Sequence, residues 1–187
     1  MNTMGLPGIR LAAFLFLSFL PALPDVRQCA CDPARPETME ARECGLCREA
    51  EKQEKDQPVF FLKDINPRKP NRWLALPRVH GKVQHSLHLA SPAERKRLWT
   101  AAVAKARELW GDEWGLAMNG DESRTQCHAH IHIGKLLKGV ETANFVVVRG
   151  PEQIPAPTEG SGIWVHPEGA RLHVHTAEQI TETVLLR

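Results

Sequence analysis

Net charge is nearly missing from this 187-residue chain: 24 lysines and arginines face 22 aspartates and glutamates, a formal +2. Holding nucleic acid or an acidic membrane surface by bulk electrostatics needs a far larger excess, so no nucleic-acid partner is expected. Internal repeats and low-complexity tracts are missing too, which removes solenoids and disordered chains. Tyrosine is absent, but the composition is otherwise globular, with 14 prolines. The length suffices for one domain with a core of its own. There is also no long hydrophobic run. The longest, LAAFLFLSFLPAL after Arg10, has the length of a signal-peptide core and is short for a membrane span. Residues 1–27 are therefore read as a signal peptide or uncleaved N-terminal anchor, and the chain as exported, periplasmic or secreted. An anchor would keep it near the membrane. VRQC lacks the small residue that precedes a lipidated cysteine.

Cysteine is sparse and odd in number: Cys29, Cys31, Cys44, Cys47 and Cys127. In an exported protein disulfides are the default, while the two-residue spacing of ECGLC also fits a zinc knuckle. Both readings stay open, and at least one thiol lies outside any intramolecular disulfide.

The chain divides into the N-terminal segment, a Cys-containing extension over 28–56 with a short helix in PETMEARECGLCREAEKQ, and a main domain over 57–187. PVFFLKD and RWLALPRVH alternate as strands around a proline-rich turn and should pair as an antiparallel hairpin. LASPAERKRLWTAAVAKARELWG is the clearest helix. Ser91 caps it, Pro92 opens it, Glu94 completes a capping box and Gly111 stops it. Its expected buried stripe is Leu98, Ala102, Ala106, Leu109 and Trp110. WGLAMN, TQCHAHIHI, NFVVVRG, GIWVHP and ARLHVHT read as further strands. AEQITETVLL reads as a C-terminal helix capped by Thr176 with Gln179. This order predicts α+β architecture with an antiparallel sheet, one long helix and a C-terminal helix.

TQCHAHIHI carries the chemistry. Side chains alternate across a strand, so Cys127, Ala129, Ile131 and Ile133 share a core face, and His128, His130 and His132 share the other. Polar strand faces usually mix Thr, Lys, Glu and Arg. Three imidazoles in a row point instead to metal binding or to catalysis by imidazole. A cupin-like metal site would want a carboxylate after the histidines, where this chain has Gly134, Lys135 and Leu136. Near the C-terminus His173 and His175 repeat the alternation and read as half-exposed strand histidines.

Two stretches together, FFLKDINPRKPNRWLALPRVH (60–80) and AMNGDESRTQCHAHIHI (117–133), resemble the signatures of the histidine triad family of nucleotide hydrolases and transferases. The long helix lies between them as in that family, so the likeness covers 57–137. RTQ before the histidines, with an export signal, further resembles the CDP-diacylglycerol pyrophosphatase branch. The resemblance implies a histidine-triad-like fold and cleavage of a phosphoanhydride at a nucleotide's α-phosphate. His130 corresponds to the nucleophile and His128 and His132 to its flanking residues. Asn119 and Thr125 match positions that contact phosphate or position the nucleophile, and Asp64 matches the acidic position near the ribose. Arg72 stands where most members carry a histidine, and a guanidinium there could clamp a phosphate. Arg124 is a second candidate phosphate ligand. Lys63, Arg68, Lys69 and Arg78 read singly as surface charge that adds positive potential.

The chemistry suits these residues. Neutral imidazole escapes the repulsion that anionic nucleophiles meet at a phosphoanhydride, and it forms a phosphoramidate that water cleaves. Catalysis would need no cofactor. The resemblance also implies a structural zinc held by Cys44, Cys47, His80 and His128, and a homodimer. The expected partner is a nucleotide or nucleotide-lipid substrate. The alternative reading is a non-catalytic nucleotide- or zinc-binding exported module, which Arg72 favours.

Overall fold

A computed structural model describes Val26, residues 29–79 and residues 86–187 of the protein. The expected signal peptide or anchor lies outside the described residues except for Val26, and so do His80 and His85. Among the described residues no helix is long and apolar enough to cross a membrane.

The protein is α+β. Seven strands form one antiparallel sheet: β1 (Val59–Lys63), β2 (Trp73–Pro77), β3 (Trp114–Met118), β4 (Ile131–Lys135), β5 (Val146–Val148), β6 (Gly162–Glu168) and β7 (Arg171–Glu178). Their spatial order is β1-β2-β4-β3-β6-β7-β5. The expected hairpin is present, with Val59 opposite Pro77 and Lys63 opposite Trp73. Helix α1 (Gly45–Glu51) follows two 3-10 turns in the extension, and α2 (Pro92–Trp110) is the long helix.

Alternation along the strands divides the sheet into two faces. One face carries Ala75, Leu116, Ile131, Ile133, Ile163, Val165, Leu172 and Val174, and α2 packs on it with Leu98, Trp99, Ala102, Val103 and Ala106. The capping box is formed as expected: Glu94 N–H donates to Ser91 Oγ, and the Glu94 carboxylate accepts from Ser91 N–H. The buried stripe differs from the expected one. Leu109 and Trp110 are only half-buried, whereas Trp99 and Val103 are buried. Each lies one position from an expected core residue, so the apolar band on this helix is wider than a one-residue-per-turn reading allowed.

Across the opposite face runs a register row in which Leu74 pairs with His132, His132 with Ala117, Ala117 with Trp164 and Trp164 with His175. The C-terminal tail covers part of this face. It is not the expected helix. The strand runs on to Glu178, placing the supposed cap Thr176 inside β7 opposite Ile163. Ala177 is the extra residue at a register shift within it and takes a left-handed φ of 66°; beyond the strand only a 3-10 turn, Glu182–Val184, remains. Asn119 Oδ1 fixes that turn by accepting from the N–H groups of Thr181 and Glu182 at 2.9 and 3.0 Å. Leu185 lies over the paired glycines Gly115 and Gly134. A Cβ on Gly115 would stand 2.5 Å from a Leu185 methyl, so this close approach requires glycine there.

Two disulfides organise the extension: Cys29–Cys127 and Cys31–Cys44. Cys47 keeps a buried thiol, which burial pushes up to about 12, leaving it almost wholly protonated and unreactive at neutral pH. Unfolding the unreduced protein should therefore expose one titratable thiol, and reduction should raise the count to five. Three or more thiols without reductant would contradict this pairing.

Candidate functional site

Only part of the histidine segment is a strand. The β4 ladder begins at Ile131, so His128 and His130 lie before it. The extension holds them instead. Cys127, adjacent to His128, is tied to Cys29, and its N–H donates to Glu43 O at 2.8 Å. Gln126 accepts from Leu46 N–H and donates to Arg42 O. By the loop-closure account, a crosslink spanning 98 residues contributes on the order of 4–5 kcal/mol. Here it also fixes where the triad begins. The cysteines that had no assignment from sequence thus position the site.

All three imidazoles are buried, with His130 and His132 retaining 6% and 7% exposure. His128 Nε2–H donates to Pro77 O at 2.7 Å, at the end of β2. His130 Nδ1–H donates to His128 O at 2.8 Å. A carbonyl can only accept, so the proton sits on Nδ1 and Nε2 of His130 carries the lone pair. Burial lowers the His130 pKa to about 4, and the nearby Arg124 guanidinium acts in the same direction. His132 is likewise held well below its ordinary value by burial. Its ring meets that of His130 edge-on at 4.9 Å.

Glu182, from the C-terminal tail, stands at this site and had no signal in the sequence beyond an apparently helical tail. Its Oε2 lies 3.7 Å from His132 Nδ1 and accepts from Lys69 Nζ and from Arg72 Nη1. Burial opposes its ionisation, but the neighbouring His132 ring, then Lys69 and Arg72, outweigh that and hold it down to about 2. Arg72 is committed to the tail. It donates from Nε to Leu186 O at 3.1 Å and from Nη2 to Glu182 O and Leu185 O at 2.9 and 2.6 Å. Asn119 is committed there as well, through Oδ1. Beside this latch lies a cavity of about 350 Å³ lined by Lys69, Arg72, Glu182, Leu186 and Arg187, among others.

The remaining expected residues separate. Arg124 is buried, bonded to Asp121 Oδ1 at 2.7 Å, and near enough to act on His130. Thr125 is exposed. Asp64 accepts from Asn66 N–H at 2.9 Å and shapes the β1–β2 turn. The zinc set does not assemble: Cys44 is bonded to Cys31, and a disulfide sulfur is no thiolate ligand. His128 Nε2 is engaged with Pro77, and His80 lies outside the described residues. The sulfurs of Cys31, Cys44 and Cys127 lie within 4.8 Å of one another, but all three belong to disulfides. A second group, Glu141, His166 and His175, brings ligand atoms within the same distance. His175 is fully buried, not half-exposed as its alternation implied.

A scan against protein-family models finds none that matches the chain, and no curated protein matches it.

Arg72 is nearly fully buried and carries both the Glu182 carboxylate and three tail carbonyls. Replacing it with Ala strands those partners and should destabilise the fold by about 3–5 kcal/mol in urea unfolding. Lysine should recover only part of that, lacking the planar fork. A change below about 0.5 kcal/mol, the scale of ordinary surface substitutions, would contradict the latch.

Proposed function

We propose that the protein is a histidine-triad-like hydrolase or nucleotidyl transferase that cleaves a nucleotide phosphoanhydride through His130. The observation that carries this reading is the bond from His130 Nδ1–H to the His128 carbonyl, which leaves Nε2 as a neutral nucleophile. In the proposed reaction Nε2 attacks the α-phosphorus. The N–P bond forms as the P–O bond to the leaving phosphate breaks, and the leaving oxygen departs with the electron pair. The ring then carries positive charge, and the Nδ1–H bond to the carbonyl strengthens as that charge develops. Water next cleaves the N–P bond, releasing nucleoside monophosphate and restoring the neutral ring. Arg124 and Lys69 supply positive potential near His130, where charge on the transferring phosphoryl group would need it.

Within this reading CDP-diacylglycerol is a specific substrate, with CMP and phosphatidate as products. Its support is RTQ at Arg124–Gln126 and the apolar N-terminal segment, which would bring the enzyme to lipid in an exporting cell. A structural metal is not needed for the chemistry. The non-catalytic alternative has one observation in its favour: Arg72 and Asn119, both expected at the phosphate, are bound to the tail instead.

Hydrolysis by His130→Ala is expected to fall by at least about 10³-fold across CDP-diacylglycerol in detergent and soluble dinucleotides, with the fold retained. Unchanged turnover on every substrate would remove the proposal. The pH response follows from burial. A pKa of about 4 in the folded state, against an ordinary 6.5, keeps Nε2 deprotonated through the neutral range. The acid limb of kcat/KM should therefore fall near pH 4–5. The same depression means that stability is full above pH 6.5 and declines as pH drops toward 4. An acid limb centred at 6.5 would show that His130 is solvated in the working enzyme.

A further inference from the structure

We infer that Glu141, His166 and His175 form a binding site for a divalent first-row transition ion, zinc or a close relative, separate from the triad. His166 on β6 and His175 on β7 stand on the sheet face away from α2. Glu141 reaches them from the connection between β4 and β5. The row from His132 through Ala117 and Trp164 to His175 spans three strand spacings, so the two imidazole groups are separated by about 14 Å.

Each histidine has one nitrogen engaged, and the Asn144 backbone also interacts with the His175 ring. His166 Nδ1–H donates to Pro167 O at 3.1 Å, which fixes the tautomer and leaves the lone pair on Nε2. His175 Nδ1 is bonded to Thr142 Oγ1 at 3.0 Å. The two Nε2 atoms are buried and have no hydrogen-bond partner, although the residues are 3% and 0% exposed. Buried polar atoms without partners are rare and costly, and here the two rings that carry them stack with centroids 5.6 Å apart. His166 Nε2 lies 3.6 Å from Glu141 Oε1. All three ligand atoms fall within 4.8 Å of one another. Tetrahedral ligands at zinc distances are roughly 3.3 Å apart, so the set must close by a small movement. Glu141, whose side chain is 41% exposed, can supply its share, and rotation of the two imidazole rings must supply the rest.

Supporting bonds of the kind that orient metal ligands are also present. His173, opposite His166 in the register, bonds through Nδ1 to the Glu141 carboxylate. Trp164 stacks on His175 with ring centroids 3.6 Å apart and fixes its plane. Burial holds His175 down to about 4, so its ring is neutral at pH 7. Two imidazoles and one carboxylate suit zinc and ferrous iron and leave a coordination position for water or a ligand.

The test is titration of the chelator-treated full chain with zinc and with cobalt, followed by calorimetry and by cobalt visible absorption. One equivalent should bind at low micromolar concentration or tighter, with a tetrahedral or five-coordinate cobalt spectrum. Glu141→Gln should weaken binding by at least about tenfold without shifting thermal unfolding, because the residue is exposed. His166→Gln with His175→Gln should abolish binding, and His130→Ala should leave it unchanged. Absence of binding at 100 µM metal (about a hundredfold weaker than 1 µM) would overturn the site. So would binding that survives Glu141→Gln but is lost with His130→Ala. If the double variant does not fold, Glu141→Gln decides alone.

Discussion

A single hydrogen bond, His130 Nδ1–H to the carbonyl two residues back, sets the chemical character of the site. It chooses the tautomer and aims the ring. Burial then keeps that tautomer neutral, since a charged imidazole would lose its hydration with little to replace it. Neither effect would suffice alone. An exposed ring would be partly protonated near pH 6.5, and a buried ring without the carbonyl could present either nitrogen.

The bond depends on structure remote in sequence. His128 supplies the acceptor while its own ring is tied to Pro77, so β2 and the triad segment fix one another. Because this segment precedes the β4 ladder, the backbone there is held by the Cys29–Cys127 crosslink and by contacts with 42–46. The extension is thus a structural part of the site. On the other side the tail closes over β3 and β4, with Glu182 beside Lys69, Arg72 and His132. Glu182 thus places an anion among Lys69 and Arg72, cations that the proposed reading would offer to a phosphate.

Much of this was legible in the sequence where period and composition agree. The hairpin, the capped long helix, the alternation of Ile131 and Ile133 against the histidines and the later strands all follow from patterns of two or 3.6 residues. The tail failed that reading because TAEQITETVLL is compatible with a helix locally. Its structure is decided by Asn119, Arg72 and two facing glycines more than forty residues away. The cysteine pairing was not legible either, since spacing alone admits zinc or disulfide at Cys44. The tail contacts of Arg72 and Asn119 were not legible for the same reason, since the tail that engages them is shaped by distant residues.

The central claim is covalent and can be met directly. The protein is mixed with CDP-diacylglycerol in detergent or with a soluble dinucleotide, quenched within a turnover, and weighed intact. The account predicts a mass increase of one nucleoside monophosphate, mapped to His130, acid-labile as a phosphoramidate and absent from His130→Asn. Turnover without such an adduct, or an adduct on another residue, would contradict it.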